Sequence, residues 1–245
     1  MLLAVAALLA GALNAVAGGG TFLTFPALLY TGVPPVAANA TSTVALLPGY
    51  LSGAYGFRRE VGPAAGLAVP WQLVTSLLGG LAGSLLLLIT PNEVFHAVVP
   101  WLLLLATALF AAGNRLASWS RRHARAEKGA VVAGLFIVSV YGGYFNGGLG
   151  ILLLAMFCLV GMTDLNAMNG LKNLISAVLT TISVVIFSAA GLVHWPQAIM
   201  MMITATVGGY LGAMLARHVR PDHLRIGIVV VGLVMSIVFF ADSSV

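Results

Sequence analysis

The chain has 245 residues, of which 60% are hydrophobic and only 7% charged, and its mean hydropathy is +1.07. A soluble domain carries about a quarter charged residues, so this composition excludes a soluble globular protein and predicts an all-α polytopic membrane protein. The net charge of +5 calls for no nucleic-acid partner, because positively charged cytoplasmic loops account for it.

The first apolar stretch, residues 1–31, lacks the basic start of a signal peptide. It continues past its glycines to Tyr30, so it reads as mature structure. Within it, "LNAVAGGGTFLTFP" places three consecutive glycines beside Asn14, Thr21 and Thr24. Each interior glycine costs a helix about 1 kcal/mol. Irregular backbone at membrane depth is tolerated only where it is buried in protein or lines a cavity. One explanation is close packing of helices through small residues. The other, favoured here, is a ligand site, since a helix beginning just after the glycines offers unpaired N–H groups and a positive dipole end. Asn14, Gly19, Gly20 and Thr21 are its candidates.

Three long apolar segments follow, at residues 35–57, 64–89 and 94–112. The last two exceed the roughly 18 residues needed to cross a bilayer. The first carries Asn39, Thr41, Ser42 and Thr43, the second "GGLAG" (79–83), read as helix packing. "TPNE" (90–93) has a capping-box pattern with Pro91 at the first helical position. The longest polar stretch, residues 114–128, leaves no room for a soluble domain.

A second glycine-interrupted stretch, residues 129–160, contains "NGGLG", with Asn146, Gly148 and Gly150 as candidates. Cys158 is the only cysteine, which excludes a disulfide framework and a thiol metal cluster. Residues 164–192 hold Lys172, the one basic residue placed inside the membrane, where it costs at least about 2.5 kcal/mol. The six carboxylates lie in loops or near segment ends. One deep cation without a deep carboxylate suits an anionic ligand, although a snorkelling or carbonyl-capping lysine is the plainer alternative. Asn166, Asn169 and Asn173 share a helical face beside it. Residues 196–217, with "GGYLG", and 224–240 complete the chain. The histidines have no metal-binding spacing, and nothing calls for a cofactor or an enzyme active site. Trp71, Trp101, Trp119 and Trp195 near segment ends fit an interfacial belt.

An offset of 129–130 residues aligns the glycines of "GGLAG" with "GGYLG", Gly18 and Gly20 with Gly148 and Gly150, and Asn39 with Asn169. Ser42 then falls at the place of Lys172. Two internal repeats are predicted, residues 1–114 and 128–245, joined by a basic cytoplasmic loop, 115–127. Each comprises a glycine-broken stretch and three transmembrane helices. Apart from Lys172, the basic residues lie in loops or at segment ends. If both broken stretches are re-entrant hairpins, all ten of these fall on one side; if both span, they split seven to three. The positive-inside rule favours hairpins. Three crossings per repeat then make the repeats inverted, as in many secondary transporters. Eight full crossings with parallel repeats is the rival.

These residues resemble the sulfite exporter TauE/SafE family. The similarity lies in "AGGGTFLTFPALLYTGVPPVAANATS", in "GGYFNGGLGILLLAMFCLVGMTDLNAMNGLKNLISAV" and in "GLVHWPQAIMMMITATVGGYLGAML", and it covers nearly the whole chain. The resemblance implies a multi-pass protein of the bacterial inner membrane that moves sulfur-containing anions such as sulfite or sulfonates. The expectation is a secondary transporter of small anions working by alternating access, with a passive channel as the alternative. Lys172 would supply charge, and Asn39, Ser42, Asn169 and Asn173 would bind ligand oxygens together with the glycine-tip amides. Coupling to a proton and assembly as a homodimer are carried as further expectations.

Overall fold

The computed structural model describes residues 1–16, 18–64, 66–123, 127–215 and scattered helical residues between 229 and 240. The described elements are helices: α1 (Leu2–Val16), α2 (Thr21–Tyr30), α3 (Pro35–Gly56), α4 (Val69–Leu88), α5 (Asn92–His123), α6 (Lys128–Tyr144), α7 (Leu149–Leu159), α8 (Leu165–Ala189) and α9 (Trp195–Leu215). Arg125, Arg217, Arg220 and Arg225, four of the ten basic residues in loops or at segment ends, lie outside the described residues.

Polarity is arranged inside out. Lys172, Asn14, Asn39, Asn146, Thr24, Ser42 and Thr180 are buried, whereas Leu78, Leu86, Ile137, Val185 and Ile203 are exposed. Such a surface belongs in hydrocarbon, where burying apolar groups gains little and polar groups must find partners within the protein. α4 and the α8 stretch Asn166–Ala189 are long and apolar enough to cross a bilayer by themselves. Shorter apolar helices include Thr21–Tyr30, Lys128–Tyr144 and Leu149–Leu159.

Each glycine-broken stretch is a pair of helices, α1–α2 and α6–α7. α2 and α7 have 10 and 11 residues, about 15–16 Å of helix, half the roughly 30 Å of a hydrocarbon core. Both pairs turn back on themselves. A Cβ on Gly134 of α6 would lie 3.8 Å from the Met156 side chain of α7, whereas a continuous helix would hold those residues about 33 Å apart. In the first pair, a Cβ on Gly20 would meet the Ala10 carbonyl at 2.8 Å.

Glycines set the closest helix contacts, as expected for "GGLAG" and "GGYLG". Gly79 and Gly83 of α4 face Phe136 and Val140 of α6, and Gly143 of α6 faces the Gly80 carbonyl. Gly208 of α9 faces the Leu8 carbonyl of α1, and Gly11 of α1 faces the Ala205 carbonyl. Without Cβ atoms the backbones approach closely and gain dispersion contacts that lipid cannot supply. α1 thus packs along α9, and α6 along α4, while α3 and α8 pack on each other at the centre. At the α4–α5 junction the Thr90 hydroxyl donates to the Leu86 carbonyl and closes α4; Asn92, the first residue of α5, accepts from the Val36 N–H.

Candidate functional site

The two turns of the helical pairs meet. A Cβ on Gly18 would lie 3.1 Å from the Cα of Gly150, so the two backbones are in direct contact. Gly18 and Gly148 have φ of +80° and +76°, the left-handed region that a side chain disfavours. Gly148 and Gly20 stand at the N-cap positions of α7 and α2, where neither can offer a side-chain cap. In the first turns the N–H groups of Phe22, Leu23, Leu149 and Ile151 donate to the carbonyls of Gly19, Gly20, Asn146 and Gly148, which leaves those of Thr21 and Gly150 as the helix-start donors available at the tips. By contrast, Asp164 caps α8, accepting from the Asn166 and Ala167 N–H groups.

Lys172 completes this point. Its aliphatic stem packs against Gly150, where an added Cβ would come 3.3 Å from Cδ, and the residue is 1% exposed. Among the described residues it is the one buried charged side chain, and no described carboxylate pairs with it. The nearest carboxylate in sequence, Asp164, is occupied at the exposed helix start. An ammonium in these surroundings is costly unless an anion or several oxygen ligands accompany it.

Amides and hydroxyls link the tips. The Thr21 hydroxyl donates to the Asn146 carbonyl at 3.4 Å, and the Tyr50 hydroxyl donates to Asn146 Oδ1 at 3.4 Å. The Asn39 amide donates to the Tyr144 carbonyl at 2.9 Å, just before the second tip. Ser42 and Thr24 share a 2.6 Å hydrogen bond between α3 and α2. The Tyr141 hydroxyl fastens the second tip by donating to the Gly147 carbonyl at 2.6 Å. Phe145 is wedged edge-on among Phe25, Phe95 and Tyr141, which stiffens the same tip from behind. Several polar atoms remain buried without a partner: Asn14 Oδ1, Asn39 Oδ1, Asn146 Nδ2, and the hydroxyls of Ser176 and Thr180. Gln72 Oε1 on α4 and the hydroxyls of Ser139 on α6 and Ser188 near the end of α8 are unpartnered as well; buried polar groups are usually paired, so the amide atoms beside the tips are free to meet a ligand.

Of the residues expected from sequence, Asn14, Gly19, Gly20, Thr21, Asn39, Ser42, Asn146, Gly148, Gly150 and Lys172 are buried at or beside the tips. Asn169 is half-buried on α8. Asn173, also half-buried, points at Gly53 of α3, where an added Cβ would come 2.7 Å from its Cγ. Asn166 is exposed in the capped turn. Sequence reasoning did not single out Tyr50, Tyr141, Ser176 or Thr180. Ser176 and Thr180 were recoverable, since they stand four and eight residues after Lys172 on one helical face. Tyr50 and Tyr141 look like ordinary apolar-segment aromatics until the fold brings them to the second tip.

No solved structure matches the chain. Curated relatives do, over nearly their whole length. A "Probable membrane transporter protein" of Haemophilus influenzae is 28% identical, covering 91% of this chain and 88% of that protein. "Probable membrane transporter protein YfcA" of Escherichia coli K12 is 27% identical over 97% and 88%. "Probable membrane transporter protein ORF9" of a Sinorhizobium species is 27% identical over 97% and 91%. The family described as "Sulfite exporter TauE/SafE" matches residues 3–239. The chain belongs to the sulfite exporter TauE/SafE family of membrane transporters.

Proposed function

We propose that the protein is a secondary transporter that carries a small, sulfur-containing anion across the bacterial inner membrane by alternating access. The observation that carries the anion reading is Lys172: an ammonium-bearing side chain, 1% exposed, without a described carboxylate partner, against the junction of two uncapped helix starts. The charge and both dipole ends have the same sign, so a bound anion offsets all three at once. The sulfur-containing class comes from the family's description.

In this reading the two halves, 1–114 and 128–245, are inverted repeats, and the glycine tips are re-entrant hairpins meeting near the midplane. Packing supports this. Under the repeat offset α1 exchanges with α6, α3 with α8 and α4 with α9. The contacts follow: α1 on α9 answers α6 on α4, α3 on α9 answers α8 on α4, and α2 on α3 answers α7 on α8. Each half lends helices to the other, so the rocking units are mixed bundles. One contains α1, α2, α3 and α9; the other contains α4, α5, α6, α7 and α8. The site lies on their shared face.

The test is anion flux in proteoliposomes with Lys172→Gln. Removing one member of a buried charged contact typically costs 2–5 kcal/mol, so uptake of sulfite or a simple sulfonate falls by at least about 30-fold. Folding is retained, because an unpaired buried ammonium does not stabilise the fold. Unchanged flux in a folded variant refutes the role of Lys172. Counter-flow stimulation of uptake is expected of the wild type, and its absence would favour an anion channel.

A further inference from the structure

We infer that the carried molecule presents a hydrogen-bond donor as well as a negative charge: a monoanion bearing a hydroxyl, an ammonium or a retained acidic proton. A fully deprotonated, multiply charged ion would not match the site. The inference rests on the anion-site reading above and narrows its ligand.

Asn39 carries the inference. Its amide nitrogen lies 2.9 Å from the Tyr144 carbonyl. A carbonyl can only accept, so this contact fixes which way the side-chain amide faces. The remaining atom, Oδ1, is therefore an acceptor, and it is buried without a partner in a residue 1% exposed. Asn14 lies beside the first tip, where an added Cβ on Gly20 would meet its Cβ at 3.3 Å, but its amide bonds the Tyr50 hydroxyl, which donates or accepts equally well, so the fixed acceptor is that of Asn39. Lys172 does not take up the Asn39 oxygen. The site thus offers one ammonium and one free amide donor, Asn146 Nδ2, for anionic oxygens, but also an acceptor that such oxygens would repel. A purely accepting ligand leaves the Asn39 oxygen desolvated and unpaired, which weakens its binding by about 10-fold. A ligand that also donates satisfies it. A metal cation is the other species that amide oxygens bind, but the Lys172 charge and two positive helix ends repel it, and no buried carboxylate among the described residues compensates.

The experiment measures thermal stabilisation of the purified full-length protein by two matched pairs. They are 2-hydroxyethanesulfonate with ethanesulfonate, and lactate with propionate. Within each pair the charge is the same and one hydroxyl differs. The expected result is at least about 10-fold tighter binding of the hydroxylated member in one or both pairs, since a site built for a donor discriminates against its absence. Asn39→Leu weakens the hydroxylated member and brings the ratio toward one. If that variant does not fold, the wild-type ratios decide alone. Equal binding within both pairs overturns this inference and leaves the anion site standing, as does stabilisation that requires sodium. Failure of all four probes to bind overturns the anion site itself, and the inference with it.

Discussion

Gly150 touches Gly18 on one side and the Lys172 stem on the other. Gly150→Ala would place a methyl group 3.1 Å from the Gly18 Cα and 3.3 Å from Lys172 Cδ. One of them must give way by a few tenths of an ångström. Displacing a charged group by that amount damages positioning more than stability. The expected outcome is a protein that folds with a loss of no more than about 1–2 kcal/mol but transports at least about 10-fold more slowly. Flux in vesicles beside a melting curve checks both. Normal flux would mean that the tips only pack. Lys172 was legible in the sequence because a lone cation in an apolar segment stands out. Its proximity to Gly150 was not, since 22 residues and a helix reversal separate them.

Among the elements, the glycine-lined pairs α1–α9 and α4–α6 carry the packing. A Cβ on Gly83 or Gly208 would overlap the carbonyls of Val140 or Leu8. Backbone cannot rotate out of the way as a side chain can, so the helices must separate. Gly83→Ala and Gly208→Ala should each destabilise by about 1–3 kcal/mol. Gly129→Ala, with open space around its Cβ position at the start of α6, should change stability by less than about 0.5 kcal/mol. Thermal or denaturant unfolding in detergent would order the three. Equal effects would show that helix propensity, rather than contact, governs these positions. Helix existence, the breaks at both glycine tips and the packing role of "GGLAG" and "GGYLG" were legible from apolar runs and glycine spacing. Partners were not, because small residues announce a close contact without naming the opposing helix. The Thr90 hydroxyl, offered as a cap for α5, closes α4 because its carbonyl partner lies one turn back.

For the whole molecule, the question is which helices move together. In a background with Cys158→Ser, a disulfide between Gly80→Cys of α4 and Leu179→Cys of α8 joins different halves of the sequence within one bundle. Their Cβ positions lie 2.8 Å apart. A disulfide between Phe57→Cys and Gly170→Cys, with Cβ positions 3.1 Å apart, crosses the face between bundles. Both are near disulfide range after a small adjustment. Oxidation is expected to preserve counter-flow uptake with the first pair and to block it with the second, and reduction to restore it. The opposite pattern would return the moving units to the sequence halves.

The amino-acid sequence by itself determined that this is a membrane protein, where its helices break, and that one ammonium lies within an apolar segment. Those features depend on local composition, and hydrocarbon tolerates few ways of satisfying a backbone. Only the tertiary structure decided that the two breaks touch, that Lys172 stands at their junction, and that helices of each half pack with those of the other. Such contacts join residues that no local pattern links, 132 positions apart for Gly18 and Gly150 and 105 for Asn39 and Tyr144, whose carbonyl takes the Asn39 amide N–H and so leaves the Asn39 oxygen free.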